Sequence, residues 1–370
     1  MCVIAAGYSY FIYPLLLLML RIVVNTPSNK LQPSGEFPSL SLIITAHNEE
    51  GRIADKLQNS LAIDYPEDKI EIIVASDHST DNTDEIVKGM GIKLVQAEVR
   101  KGKEYAQWLA VQQAKGDIIV FSDVATLVPR DAFYTIAEIF RDPHTGAVSS
   151  EDQFITENGR VVGEGLYVRY EMWLRKLESD LSGLVGLSGS FFAARREICE
   201  NWDILAPSDF NTALNCITKG YIAVADGRLI GMYKDVKDSS VEYRRKVRTI
   251  IRGITAIYRK PEVLNPFKYG LFSFQVWGHK IMRWLVPWLM VIIFILSFLL
   301  YEYHLVYRII FWLQMIFYGV VVIGCTSELL RSHFLVRIPY YFVQTNTAIA
   351  HATISFLSGK RVTLWTPSAR

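Results

Sequence analysis

Cysteine is scarce: the 370-residue chain holds 4, Cys2, Cys199, Cys216 and Cys325, with no Cys-x-x-Cys spacing. That supports neither a disulfide framework nor a thiolate zinc site. Charge of one sign is also lacking. Lys and Arg number 39 against 37 Asp and Glu, a net +2, so nothing argues for a nucleic-acid partner. Arg100-Lys101-Gly102-Lys103 lacks the Walker A spacing, and no Gly-x-Ser-x-Gly elbow or His-Glu-x-x-His pair occurs. Internal repeats and low-complexity tracts are absent.

Apolar residues are plentiful, 51% of the chain, and concentrate at its two ends. Residues 1–24 stay almost uncharged until Arg21, close to the roughly 20 residues that a membrane helix needs. No basic start and no small-x-small cleavage site mark this run as a signal peptide, so it reads as an uncleaved helix. Arg21 and Lys30 follow it, and the positive-inside rule places the next domain in the cytoplasm. Residues 25–40, with three prolines by Pro38, read as a linker. Trp284 to Tyr301 and Leu305 to Cys325, within 284–325, are long enough to cross a bilayer. In 326–370, Arg331 and Arg337 mark a cytoplasmic loop and Lys360, Arg361 and Arg370 a basic tail. Between them Gln344, Thr345, Asn346, Thr347, His351 and Thr353 interrupt 338–357, which reads as interfacial or re-entrant, with a full crossing as the alternative.

Between these ends, strand-like runs at 41–46, 70–76, 92–97, 117–122 and 146–150 alternate with helical runs at 49–62, 81–89, 103–115 and 129–140. Such alternation predicts an α/β domain with a mostly parallel central sheet. The run Ile118 to Phe121 leads into Ser122 and Asp123, a buried strand that delivers a carboxylate at its C-terminal end, where open α/β sheets keep ligands. Thr45-Ala46-His47-Asn48-Glu49 and Ser76-Asp77-His78-Ser79 end two earlier strands in the same way. Together they predict one acidic, polar sheet edge.

Downstream, Asp209 stands at a helix start, where a carboxylate complements the helix dipole whether or not it reacts. Arg244, Arg245, Lys246, Arg248 and Arg252 form either a solvated or membrane-facing cationic face or a clamp on diphosphate. The apolar residues from Gly163 to Leu181 fall at helical spacing, and Trp277, Trp284 and Trp288 with Lys280 and Arg283 have the composition of a membrane interface over 261–283 and beyond. Packing and anchoring account for both; an approach for a lipid-linked acceptor is the functional alternative. An acidic edge, a further carboxylate and a basic run could together hold a nucleotide diphosphate, with or without a hard divalent cation, and deprotonate an acceptor hydroxyl.

These residues, Thr45 to Glu49, Ser76 to Thr83, Lys103, Ser122-Asp123, Asp209 and Arg248, resemble glycosyltransferase family 2, most closely its membrane-anchored branch of cellulose, chitin and hyaluronan synthases. The resemblance covers about 41–253 and the hydrophobic frame around it, and sets the expected glycosyltransferase domain at 41–260. It implies a Rossmann-like GT-A domain framed by transmembrane helices and a nucleotide-sugar donor, usually a UDP-sugar. Ala46, His47 and Glu49 would lie against the nucleobase, Asp77 against nucleobase or ribose, and Lys103 near the nucleotide. Asp123 would face the diphosphate and its Mg2+ or Mn2+, Asp209 would be the catalytic base of an inverting displacement, and Arg248 would meet the diphosphate.

Three departures stand out. Ala125 replaces the second carboxylate of the family's Asp-x-Asp, which leaves Asp123 and substrate phosphates to hold a cation. Ser208 replaces the Glu usual before the base. Arg245-Lys246-Val247-Arg248-Thr249 lacks the Gln and Trp of the Gln-x-x-Arg-Trp element found in processive synthases. With these departures, the resemblance implies transfer of one or a few sugars to a lipid-linked or glycan acceptor at the cytoplasmic face of a bacterial inner membrane, among membrane lipids and polysaccharide-assembly proteins. A processive polysaccharide synthase is the alternative enzyme. A non-catalytic nucleotide-sugar-binding scaffold is the alternative of another class.

Overall fold

A computed structural model describes residues 1–23, 36–155, 166–234, 239–362 and 364. Most of the linker, Gly163 at the start of the aromatic run and Arg370 in the tail lie outside the described residues. The chain divides into two compact units, one built around 17–237 and 255–273, the other around 1–16, 238–254 and 274–361.

The first unit is a mixed α/β sheet of seven strands: β1 (Leu40–Ala46), β2 (Ile70–Ser76), β3 (Lys93–Gln96), β4 (Ile118–Asp123), β5 (Thr145–Ile155), β6 (Phe191–Arg195) and β7 (Ile222–Lys234). Their order is β3-β2-β1-β4-β6-β5-β7. β1 runs parallel to β2 and β4, and β2 parallel to β3. β6 is antiparallel to both neighbours, whereas β5 and β7 are parallel. The sheet thus continues past the strands expected up to residue 150. β6 follows the glycines of 183–189, a lead-in with loop composition, and only its pairing with β4 and β5 makes it a strand.

Period-two alternation divides the buried side chains between the two faces of the sheet. Leu42, Ile44 and Val120 pack with Ile53, Leu57 and Phe133 on one face. Ile43, Ile73 and Phe121 pack with Ala106, Phe192 and Trp202 on the other. Phe121 stacks on Phe192 at 4.7 Å and on Trp202 at 5.0 Å between ring centroids. Both faces are covered, so the central strands are apolar throughout and polar chemistry is confined to their ends. Register then sets the ends level: Ala46 lies opposite Ser76, and Thr45 opposite Asp123. The order also places the change of winding direction between β1 and β4, where ligands of open sheets bind.

The second unit is helical. Among the described residues three helices are long and apolar enough to cross a membrane, Cys2–Val23, Pro266–Leu299 and Leu305–Thr326, which is compatible with a membrane protein. Close approach is built from glycine: a Cβ on Gly278 would stand 2.3 Å from the Tyr13 ring. The helices Met282–Leu299, Leu305–Thr326 and Phe334–Leu357 pack on one another. The segment 338–357, read as interfacial or re-entrant with a full crossing as the alternative, lies in the continuous helix Phe334–Leu357. Three of its polar side chains bond within the helix, Asn346 Nδ2 to Phe342 O at 2.8 Å, Thr347 Oγ1 to Val343 O at 2.9 Å and Thr353 Oγ1 to Ile349 O at 2.8 Å, whereas His351 Nδ1 lies 3.4 Å from the Tyr243 hydroxyl.

Candidate active site

The loops after β1 and β2 are tied into one wall. His47 is buried, and its Nδ1 lies 2.8 Å from Asp77 O. Asn48 takes a left-handed backbone, φ 53°, that turns its Oδ1 onto the Thr80 N–H at 2.8 Å. The Glu49 N–H donates to Thr83 Oγ1 at 2.8 Å, and the Glu49 carboxylate meets Arg52 at 2.9 Å. Burial pushes the Glu49 carboxyl above the usual range, Arg52 draws it back, and the charge of Asp123 adds to the rise. Ala46 is fully buried at the base of this wall.

Asp77 is 0% exposed. Its carboxylate accepts the N–H groups of Lys101 at 3.0 Å and of Gly102 at 3.0 and 3.1 Å. Gly102 has φ 105°, a conformation that side chains disfavour, and stands immediately before helix Lys103–Gln113. Asp77 therefore holds the turn that launches this helix, with Arg100 Nε 3.9 Å from its Oδ2.

The first two residues of that helix reach two further elements. Lys103 Nζ lies 2.5 Å from Asp123 Oδ1 and donates to Gly189 O at 2.8 Å. Trp202 Nε1 donates to Glu104 O at 2.9 Å, and the Ser208 N–H to Glu104 Oε1 at 3.3 Å. Ser208 opens helix Ser208–Thr218, whose first turn carries Asp209. Asp209 Oδ1 accepts the Phe210 N–H at 2.8 Å. A Cβ on Gly189 would stand 3.1 Å from Asp209 Oδ2, so glycine lets the 188–190 loop pass close to this carboxylate. Lys103 thus bonds both Asp123 and Gly189, and Gly189 in turn passes beside Asp209.

The 188–190 loop is anchored from β5. Ser188 Oγ and Ser190 Oγ donate to Asp152 Oδ1 at 2.6 and 2.7 Å. On the opposite side of β4, Lys56 reaches in from helix Ile53–Leu61 and donates to Ser122 Oγ at 2.8 Å and Thr126 O at 2.7 Å. Burial pulls its ammonium down to about 7, against the opposing effect of the Asp123 charge.

Ala46, His47, Glu49, Asp77, Lys103, Asp123 and Asp209 all belong to the first unit, whereas Arg248 lies on helix Ser239–Arg259 within the 238–254 stretch of the second. Lys56, Glu104 and Asp152 were missed from the sequence. Lys56 had a signal: it shares the buried stripe Ile53, Lys56, Leu57, Ser60, where a charge is out of place. The other two act through contacts distant in sequence.

Among the described residues, no three or more His, Cys, Asp and Glu side chains gather as a metal cage. With Ala125 beside it, Asp123 is the carboxylate of its turn, and Lys103 engages one of its oxygens. That donor set fits a hard cation that keeps several waters and takes its other ligands from substrate phosphates.

A mostly parallel sheet with carboxylates gathered at its strand ends defines a GT-A-like glycosyltransferase fold. A mannosyltransferase from Pyrobaculum calidifontis in complex with GDP-Man and Mn2+ shares it with a TM-score of 0.70, 21% identity and coverage of 97% of this chain and 99% of that chain. The family model of glycosyl transferase family 2 matches residues 41–202 of this chain. The chain is also similar to poly-beta-1,6-N-acetyl-D-glucosamine synthases, 29% identical over 175 residues to that of Staphylococcus epidermidis (44% of this chain, 42% of the relative). The corresponding synthase of Staphylococcus aureus (strain MSSA476) is 30% identical over 164 residues, 42% of this chain and 39% of the relative. These matches span about two-fifths of the length of the relatives.

Proposed function

We propose that this protein is an integral-membrane, inverting glycosyltransferase. It passes a hexosyl or N-acetylhexosaminyl group from a nucleotide sugar, a UDP-sugar in the first instance, to a lipid-linked or glycan acceptor at the cytoplasmic face of a bacterial inner membrane, in cell-surface or extracellular polysaccharide synthesis. The observation that carries this reading is Lys103 bonding both Asp123 and Gly189, with Gly189 passing beside Asp209.

In this reading Asp209 is the general base. As the acceptor oxygen bonds the anomeric carbon, its proton passes to an Asp209 carboxylate oxygen. The bond from that carbon to the diphosphate breaks, and the nucleoside diphosphate leaves with the electron pair. Attack opposite to the leaving group inverts the configuration. Ala46, His47 and Glu49 form the nucleobase wall, and Asp77 shapes it through the turn at Lys101 and Gly102. Lys103 would lie near the nucleotide and bring positive charge toward its diphosphate. Asp123 would hold Mg2+ or Mn2+, which when bound supplies positive charge against the leaving diphosphate.

Donor turnover by the detergent-purified full chain tests the reading. UDP- and GDP-sugars would be screened with a lipid extract, with Mg2+, Mn2+ or chelator, alongside Asp123→Ala and Asp209→Asn. Nucleotide release that needs one donor and both carboxylates supports it. Failure of every donor to turn over or bind refutes it and favours a non-catalytic scaffold. The likeness to poly-beta-1,6-N-acetyl-D-glucosamine synthases favours one second reading, a processive synthase. Product longer than a few sugars would select it.

A further inference from the structure

Lys56 takes no part in the reaction just described. It is 1% exposed, and it spans from helix Ile53–Leu61 to the end of β4. Its ammonium donates to Ser122 Oγ at 2.8 Å and to Thr126 O at 2.7 Å. Those two residues flank Asp123-Val124-Ala125, a turn closed by the Thr126 N–H on Asp123 O at 3.2 Å. From the far side, the Asp123 N–H donates to Ser190 O at 2.9 Å and Lys103 meets the Asp123 carboxylate. One ammonium therefore clamps both ends of the turn that presents Asp123.

Removing a charge from water is costly, and what folding gains in return is the two bonds to Ser122 Oγ and Thr126 O. The hydrogen bonds it makes go to the two residues on either side of the carboxylate and its neighbours. With Ala125 in the second carboxylate position, Asp123 carries the contact to a diphosphate-bound cation by itself, so its orientation has no second ligand to correct it. We infer that Lys56 is a positioning residue: it sets the 122–126 turn so that Asp123 faces the donor diphosphate. This inference rests on the glycosyltransferase reading above.

The test compares wild type, Lys56→Met and Ser122→Ala as full chains in detergent. The readouts are donor turnover, acceptor KM, and calorimetric binding of UDP and GDP, each with Mn2+. Lys56→Met should lower kcat about 10²-fold, as a misplaced reacting group does. It should weaken binding of the preferred nucleotide with Mn2+ about tenfold and leave acceptor KM within about threefold, a split that general unfolding does not produce. Ser122→Ala removes one of the two bonds and should lower kcat about tenfold. If Lys56→Met fails to fold, Ser122→Ala decides. Wild-type turnover matched by the folded variants, with unchanged nucleotide binding, overturns the inference alone. A wild type that neither turns over nor binds any donor overturns the functional reading, and this inference with it.

Discussion

Lys56→Met also makes a prediction about stability that is independent of catalysis. The unfolded chain keeps this lysine protonated up to its ordinary value of 10.5, whereas burial pulls the folded value down to about 7. Between those limits the unfolded state binds the additional proton. The lysine's contribution to stability is therefore fully present above 10.5, is lost as pH falls, and levels off below about 7. From pH 9.5 to 7 the loss is about 3 kcal/mol, at roughly 1.4 kcal/mol per pH unit. The methionine has no such slope. Losing the donor to Ser122 Oγ and Thr126 O adds an offset of about 1–3 kcal/mol for each acceptor left buried and unpaired, and this offset does not change with pH. Relative to wild type, Lys56→Met should thus gain about 3 kcal/mol as pH falls across that range, or about 6–12 °C in Tm for a domain of this size. Tryptophan-fluorescence melts of both proteins at half-unit pH steps measure the difference. A wild-type-minus-variant Tm that stays flat from pH 9.5 to 7 would refute the buried-ammonium account.

Asp209→Asn keeps the helix start but cannot take a proton, so kcat should fall by about 10²–10⁴ with nucleotide affinity held, read by turnover and calorimetry. Gly189→Ala puts a Cβ 3.1 Å from Asp209 Oδ2 and should lower kcat about tenfold with little change in Tm; unaltered turnover would place Asp209 away from the chemistry. Asp77→Ala strands the buried N–H groups of Lys101 and Gly102 and should cost about 2–5 kcal/mol in denaturant melts. Ala125→Asp adds the second carboxylate and should lower the Mn2+ concentration for half-maximal turnover about tenfold; an unchanged titration curve would separate the cation from this turn.

The sequence by itself determined the class of domain, because each strand and helix there carries its own period and polar end. It showed where Asp77 and Asp123 leave their strands, since a run of buried apolar residues ending in a carboxylate is a local pattern. It also showed the apolar helices, which depend on length and composition alone. Tertiary structure decided what these residues touch. The Asp77 carboxylate took the N–H groups of the Lys101–Gly102 turn, and Lys103 joined Asp123 to a loop 86 positions beyond Lys103 itself. β6 became a strand only through its neighbours, and Asn346, Thr347 and Thr353 were absorbed by their own helix while His351 met Tyr243. Such pairings are set by packing between segments distant along the chain, and no local period encodes them. Lys56 lies between the two cases: its place on an apolar stripe was visible in the sequence, but the turn it clamps exists only once β4 and helix Ile53–Leu61 have come together.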